Sequence, residues 1–170
     1  MTTIPIKPLT KAEFAPFGDI IEMADQPSFQ INRGMCDRFH DLARVDFAGS
    51  GARPIISLAH ARPYALPLEL DMVERHPLGS QAFIPLSPDP FLVVVAPDAD
   101  GRPGPPQAFL TSPGQGVNYL RNTWHGVLTP IGRDASVIID DRDGDGTNLE
   151  EFFFDTSYII GPELPSNAAA

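Results

Sequence analysis

Hydrophobic positions along this chain come in short runs, mostly alternating with polar ones, and the runs are too short for amphipathic helices. They cover 19–23, 38–47, 54–61, 68–76, 81–86, 91–96, 107–111, 123–129, 135–140 and 151–154, with Gly and Pro clusters between them. Ten short strands without intervening helical patterns predict an all-β fold, a sandwich or closed barrel whose turns use the 14 glycines and 19 prolines. A further short strand at 4–9 is confined by Pro5 and Pro8 to a sheet edge. One short N-terminal helix follows it: Thr10 and Glu13 make a capping box, Phe14 and Phe17 share a face, and Gly18 can close the C-terminus in a left-handed conformation.

The stretch 68–85 organises the remainder. In an extended chain Leu68, Leu70, Met72, Glu74 and His76 share one face. A face that begins as core and ends in a carboxylate and an imidazole is expected where a strand end lines a polar cavity, because unpaired charge in a core is costly. A strand running out into solvent at Glu74 gives the same pattern. On this register Val73 and Arg75 face outward or into a subunit interface. The cluster GQGVNYLRNTWHG at 114–126 reads as a donor-rich loop at a strand entrance, placed to meet Glu74 and His76. Two other segments, 98–106 and 140–146, read as surface loops. The second, DDRDGDG, lacks the spaced Glu and flanking helices of a calcium loop and is read as a turn.

Size and charge narrow the picture. With 170 residues the chain fits one domain over 1–165 with a frayed tail at 166–170. A net charge of -10 leaves no clustered Lys and Arg to neutralise phosphates, so nucleic acid is excluded as a partner. Local arginines in a cleft can still take a small anionic substrate. The lone Cys36 cannot form an intramolecular disulfide, and the N-terminus lacks the apolar core of a secretory signal. Without an apolar run near the ~20 residues that cross a bilayer, no membrane partner is expected and the location is taken as cytoplasmic.

His76 and Gln81 stand at the second His and the Glu of the cupin pattern HxHxxxxE, with Glu74 in place of its first His. Gly114 and His125 keep the spacing of the second cupin pattern, whose Pro and second Gly are replaced by Leu120 and Asn122. The pattern predicts a cupin-like double-stranded β-helix, a jelly-roll barrel. More specific is the succession FxxFGDII, INRG, RFHDLA, ERHPLGSQAFIPL, FLVVVA, GQGVNYLRNTWH and IIDDR over about 9–155. In this wording the chain resembles the ureidoglycolate lyase family, cupin-fold enzymes of allantoin (purine) degradation. The resemblance implies a homodimeric, cytoplasmic carbon–nitrogen lyase that cleaves ureidoglycolate to glyoxylate and urea. The other readings are a non-catalytic cupin that binds a small organic acid, and a cupin sugar isomerase or epimerase.

Such cleavage removes a hydroxyl proton while a departing nitrogen is protonated beside a carboxylate, so the site needs a base, an acid and an anion clamp. Glu74 and His125 are the titratable candidates, in a half-buried cavity where pKa values move toward neutrality. Arginine is the natural clamp, because its planar fork meets a carboxylate bidentately. Among Arg33, Arg38, Arg62, Arg75 and Arg121, the last lies in the loop nearest the cavity and is chosen. Substrate contacts are assigned to Asn32, Arg38, His40, Asn118, Tyr119 and Asn122, each of which also has an ordinary structural reading as cap, core or hydrogen-bonded group. Trp124 is read as a packed aromatic, and Asp140 or Asp141 as an anchor for the following turn. Glu74, His76, Gln81 and His125 form a ligand set suited to a divalent Mn, Fe or Ni ion rather than tetrahedral structural zinc. The resemblance carries over nickel, and no organic cofactor is expected.

Overall fold

The structure, a computed structural model, describes residues 1–23 and 25–165, so the tail expected at 166–170 lies outside the described residues. Its strands are β1 (Thr2–Ile4), β2 (Ile6–Pro8), β3 (Gly18–Ile21), β4 (Phe29–Ile31), β5 (Cys36–Arg38), β6 (Arg53–Ala61), β7 (Leu68–Arg75), β8 (Gln81–Pro85) and β9 (Phe91–Ala96). They continue with β10 (Asp98–Ala99), β11 (Arg102–Pro103), β12 (Gln107–Leu110), β13 (Gly116–Tyr119), β14 (Trp124–His125), β15 (Thr129–Pro130), β16 (Ala135–Asp143) and β17 (Glu150–Ile160). Helix α1 (Lys11–Phe14) starts at Thr10, whose hydroxyl accepts from the Glu13 amide at 3.4 Å, as the capping box requires. Gly18 does not close this helix. It opens β3, where a Cβ would stand 1.9 Å from the Asn118 carbonyl oxygen, so the glycine permits close strand approach rather than a left-handed turn.

The larger sheet runs β1-β17-β7-β14-β9-β12-β2, with β15 also on β9, the second runs β3-β13-β8-β16-β6, and β4-β5 and β10-β11 form two-stranded ribbons. The outermost strands of the first sheet, β1 and β2, are joined through Pro5 alone, so that sheet rolls nearly closed. Two edge strands are where prolines 5 and 8 can be tolerated. The result is the cupin-type jelly-roll barrel, nearly all β, with α1 the single α-helix among the described residues and a short 3-10 turn at Asn32–Gly34.

Two apolar clusters fill it. Ile4, Ile6, Leu70, Val73, Leu92, Val94, Leu110, Trp124 and Ile160 line the inside of the roll. Phe14, Phe17, Phe83, Phe91, Val93, Val95, Phe109, Val117 and Tyr119 lie between the two sheets. Strand β9 sits between both clusters, and all six of its residues are buried, which is why FLVVVA is apolar without alternation. Each such side chain contributes about 1.5–3 kcal/mol through removal from water, so a charge at Val93 or Val95 would break the barrel centre.

Three expectations are corrected here. The run 38–47 is not a strand: β5 ends at Arg38, and the chain then crosses the second sheet as an irregular segment tied by side chains. Within 114–126, GVNY is the buried strand β13 between β3 and β8. Buried on both faces, it shows no alternation and its polar residues disguised it. The face assignment along 68–76 holds only in part: Glu74 and His76 meet His125, but they do not share the face of Leu70. Leu70 and Val73, three residues apart, both enter the roll, because β17 shifts register between Phe153 and Tyr158 opposite this point and the alternation slips by one. Val73 is therefore fully buried rather than outward.

Candidate functional site

Past that irregularity, β7 turns Glu74 toward the second sheet. Glu74 is register-paired with His125 on β14, and His125 with Val95, whose side chain lies in the cluster between the sheets. Paired residues share a face. His76 follows at the end of β7, and its ring centre lies 5.2 Å from that of His125. From the opposite sheet Tyr119 stacks flat on His125, with ring centres 4.2 Å apart and planes at 5°. Donor atoms of Glu74, His76 and His125 all lie within 4.8 Å of one another.

Hydrogen bonds fix which ring nitrogens face this cluster. His76 Nδ1 lies 2.7 Å from the Asn148 carbonyl oxygen and His125 Nδ1 lies 3.0 Å from the Gly126 carbonyl oxygen. A carbonyl only accepts, so both Nδ1 atoms carry hydrogen, and in a neutral ring this turns the Nε2 lone pair to the cluster. Each Nε2 is buried and has no hydrogen-bond partner, and the same holds for Gln81 Oε1. Gln81 pairs in register with Tyr119 and donates through Nε2 to Asp141 at 3.3 Å. The orphaned atoms are all acceptors, which fits a bound cation better than another hydrogen-bonded group. Two imidazoles with one carboxylate are the ligands of octahedral-type divalent sites, with each ring's Nδ1 held from outside as metal-ligating histidines require.

Burial dominates the electrostatics. It pushes the His125 pKa down to about 3, helped by the neighbouring His76 and only partly opposed by the Gly126 hydrogen bond. His125 is therefore neutral at physiological pH. This moves it away from neutrality rather than toward it, which weakens its candidacy as a base and strengthens it as a ligand. Burial raises the Glu74 carboxyl above its ordinary range, against the attraction of His76 and with added repulsion from Glu151 and Asp141. Burial also pushes the Tyr119 hydroxyl up, with Glu74 adding to the effect, so the phenol stays protonated.

The opposite face of the same strands holds a brace. Arg75, expected to face outward, bonds Glu150 through Nε at 2.7 Å and Asp98 through NH1 at 2.9 Å, and its guanidinium lies 4.3 Å above the Trp124 ring. Trp124 also donates to Asp98 at 3.0 Å. Arg75 and Trp124 are the chain neighbours of Glu74 and His125, so this network holds the two-residue strand β14 in register behind the site. The face that Arg75 occupies is covered by Trp124 and the flanking carboxylates, and its side chain is only 13% exposed.

Other expected site residues are dispersed. Arg121 pairs with Asp46 at 3.3 Å and is 40% exposed. Asn118 is fully buried on the face of β13 opposite Tyr119, where it donates to Asp19 and to the Arg44 carbonyl and ties down the crossing segment. Asn122 is exposed, with left-handed backbone, and its amide bonds the His76 carbonyl at 2.9 Å. Asn32, Arg38 and His40 lie on an exposed hairpin formed by β4 and β5, whose hydrogen bonds are internal to 28–40 among the described residues. The turn expected at 140–146 is shorter, since 140–143 continue β16 and only 144–146 bend; there the buried Arg142 guanidinium donates to the carbonyls of Ala48, Gly144 and Asp145, where a calcium loop would place its cation. Asp141 anchors it through the Arg142 amide. A cavity of about 480 Å³ lies beside the other end of β6, lined by His60, Arg62, Tyr64 and Leu128, and contains none of the converging groups. Asp141, Glu151 and Asn148 were missed by sequence reasoning, since strand pairing across some seventy residues brings each to the site.

A family profile described as ureidoglycolate lyase matches residues 1–161. The chain is 62% identical over 160 residues to a ureidoglycolate lyase of Chelativorans sp. (strain BNC1), covering 94% of this chain and 97% of that one. It is 59% identical to ureidoglycolate lyase 2 of Rhizobium meliloti (94% and 98% covered) and 57% identical to a ureidoglycolate lyase of Rhodobacter capsulatus (89% and 94% covered).

Proposed function

The chain belongs to the ureidoglycolate lyase family, and we propose that it cleaves ureidoglycolate to glyoxylate and urea at the cluster of Glu74, His76 and His125. The observation that carries this reading is the convergence of two orphaned Nε2 lone pairs on one half-buried carboxylate.

Glu74 takes the hydroxyl proton as the carbon–oxygen double bond forms and the carbon–nitrogen bond breaks, then returns that proton to the departing nitrogen, so one group serves as base and acid. A carboxylate with raised basicity suits both halves of the transfer. Neutral His125 cannot supply the proton at physiological pH through its Nε2 atom, and it orients the substrate together with His76 instead. The Tyr119 ring holds the His125 plane fixed and excludes water from that side. His76, His125 and Glu74, with Gln81 Oε1 beside them, would hold a divalent ion such as nickel, manganese or iron, which supplies Lewis-acid polarisation of substrate oxygens. The working assembly is a homodimer in the cytoplasm.

The test is glyoxylate release from ureidoglycolate by the pure protein, with and without chelator and added divalent metal. Turnover is expected. Its absence in every condition would leave an organic-acid-binding cupin or a sugar isomerase to be tested.

A further inference from the structure

Ureidoglycolate is an anion, yet the walls of the site carry Glu74, Asp141 and Glu151. Each arginine near it is committed elsewhere. Arg75 is spent on Asp98 and Glu150, Arg142 on three carbonyls, and Arg121 on Asp46. Among the described residues, the arginines nearest the cleft are thus each held to a carboxylate or to carbonyls, Arg121 through its Nε alone, while the side chains around the base are acidic.

The β4–β5 hairpin has the complementary defect. It carries Arg33 and Arg38 with no ion-pair partner among the described residues, while its one acidic residue, Asp37, is bonded to Gln30. Met35 is 86% exposed, and Phe29 is 44% exposed although His40 packs against it, so the arm presents apolar surface left open among the described residues. At its tip Asn32, Arg33 and Gly34 have φ values of +53°, +60° and +83°. Two consecutive non-glycine residues in the left-handed region cost about 1–3 kcal/mol each, a strain that persists in folds where a functional presentation requires it.

We propose that this arm docks on a second copy of the chain and that Arg33 of one protomer clamps the substrate carboxylate in the acidic cleft of the other. The inference rests on the lyase reading above. Basic tip and acidic cleft are complementary, and a two-fold axis makes the exchange reciprocal, so each dimer holds two composite sites. Phe29 and Met35 are covered in the same contact.

The experiment uses two differently tagged chains, Glu74→Gln and Arg33→Ala, expressed separately and together, with hybrids isolated by both tags. Each parental dimer is expected to lose at least about 10-fold in kcat/KM for ureidoglycolate, the Arg33→Ala loss lying mainly in KM and partly restored by Arg33→Lys. In the hybrid one site combines both lesions and the other combines neither, so about half of wild-type turnover should return. A hybrid as inactive as its parents places the arm in its own chain's site and overturns the proposal, as does a monomeric wild-type enzyme or an Arg33→Ala parent with unchanged KM. Wild-type protein without glyoxylate release, by contrast, removes the lyase reading itself.

Discussion

Replacing Arg75 with methionine tests whether the brace behind the site sets the geometry in front of it. The substitution keeps the apolar stem over Trp124 and removes the guanidinium, with its bonds to Asp98 and Glu150 and its 4.3 Å stacking distance. Both carboxylates are nearly half exposed and regain water, so each lost ion pair costs only about 0.2–1 kcal/mol. The lost stacking adds about 0.5–1 kcal/mol. A total near 1–3 kcal/mol lowers the midpoint of thermal unfolding by about 2–12 °C for a chain of this size. The difference should depend on pH. The Gly101 amide, Trp124 and Arg75 hold the Asp98 carboxyl below its ordinary range. Stability of this origin is present above the unfolded-state value and lost as pH falls through the lower folded-state one. Wild-type and variant unfolding curves should therefore converge in acid. Because Glu74 and His125 sit on the same two strands, kcat should also fall, by up to about 10²-fold if the site shifts by an ångström. Unchanged unfolding midpoint and unchanged kcat would refute the coupling.

Burial and the adjacent Asp141 raise the Asp140 carboxyl, so its ionisation in the fold costs stability as pH rises through that raised value; Asp140→Asn should stabilise at pH 7 by under ~1 kcal/mol in urea unfolding and lose the gain in acid. A Cβ at Gly18 would meet the Asn118 backbone oxygen at 1.9 Å, and Gly18→Ala should cost at least ~2–3 kcal/mol or prevent folding, by the same measurement. With its pKa near 3, the His125 ring should show no titration between about pH 5 and 8 in NMR; a midpoint near 6.5 would contradict its buried neutral state.

The legible parts of the sequence were those governed by local rules. The Thr10–Glu13 cap, the edge position forced by Pro5 and Pro8, and the spacing of Glu74, His76 and His125 each follow from residues close in the chain or from a known motif. What escaped was set by distant partners. The slip between Leu70 and Val73 depends on where β17 bulges, and the burial of Asn118 depends on a segment that crosses the outside of its sheet. Arg75 was assigned to the outer face because alternation says nothing of whether that face is itself covered. The pKa of His125 could not be read from residue type, since the same imidazole moves up beside a carboxylate and down when buried against Tyr119 and His76.

The central claim is that Glu74 moves the proton in ureidoglycolate cleavage. Steady-state kinetics of Glu74→Gln, assayed after chelation and again with excess divalent metal, tests it most directly. The variant keeps the shape and one acceptor oxygen but cannot take the hydroxyl proton, so turnover should fall by about 10² to 10⁴ while the substrate still binds, and added metal should not restore it. Unchanged turnover in both conditions, or full recovery with metal, would contradict the account.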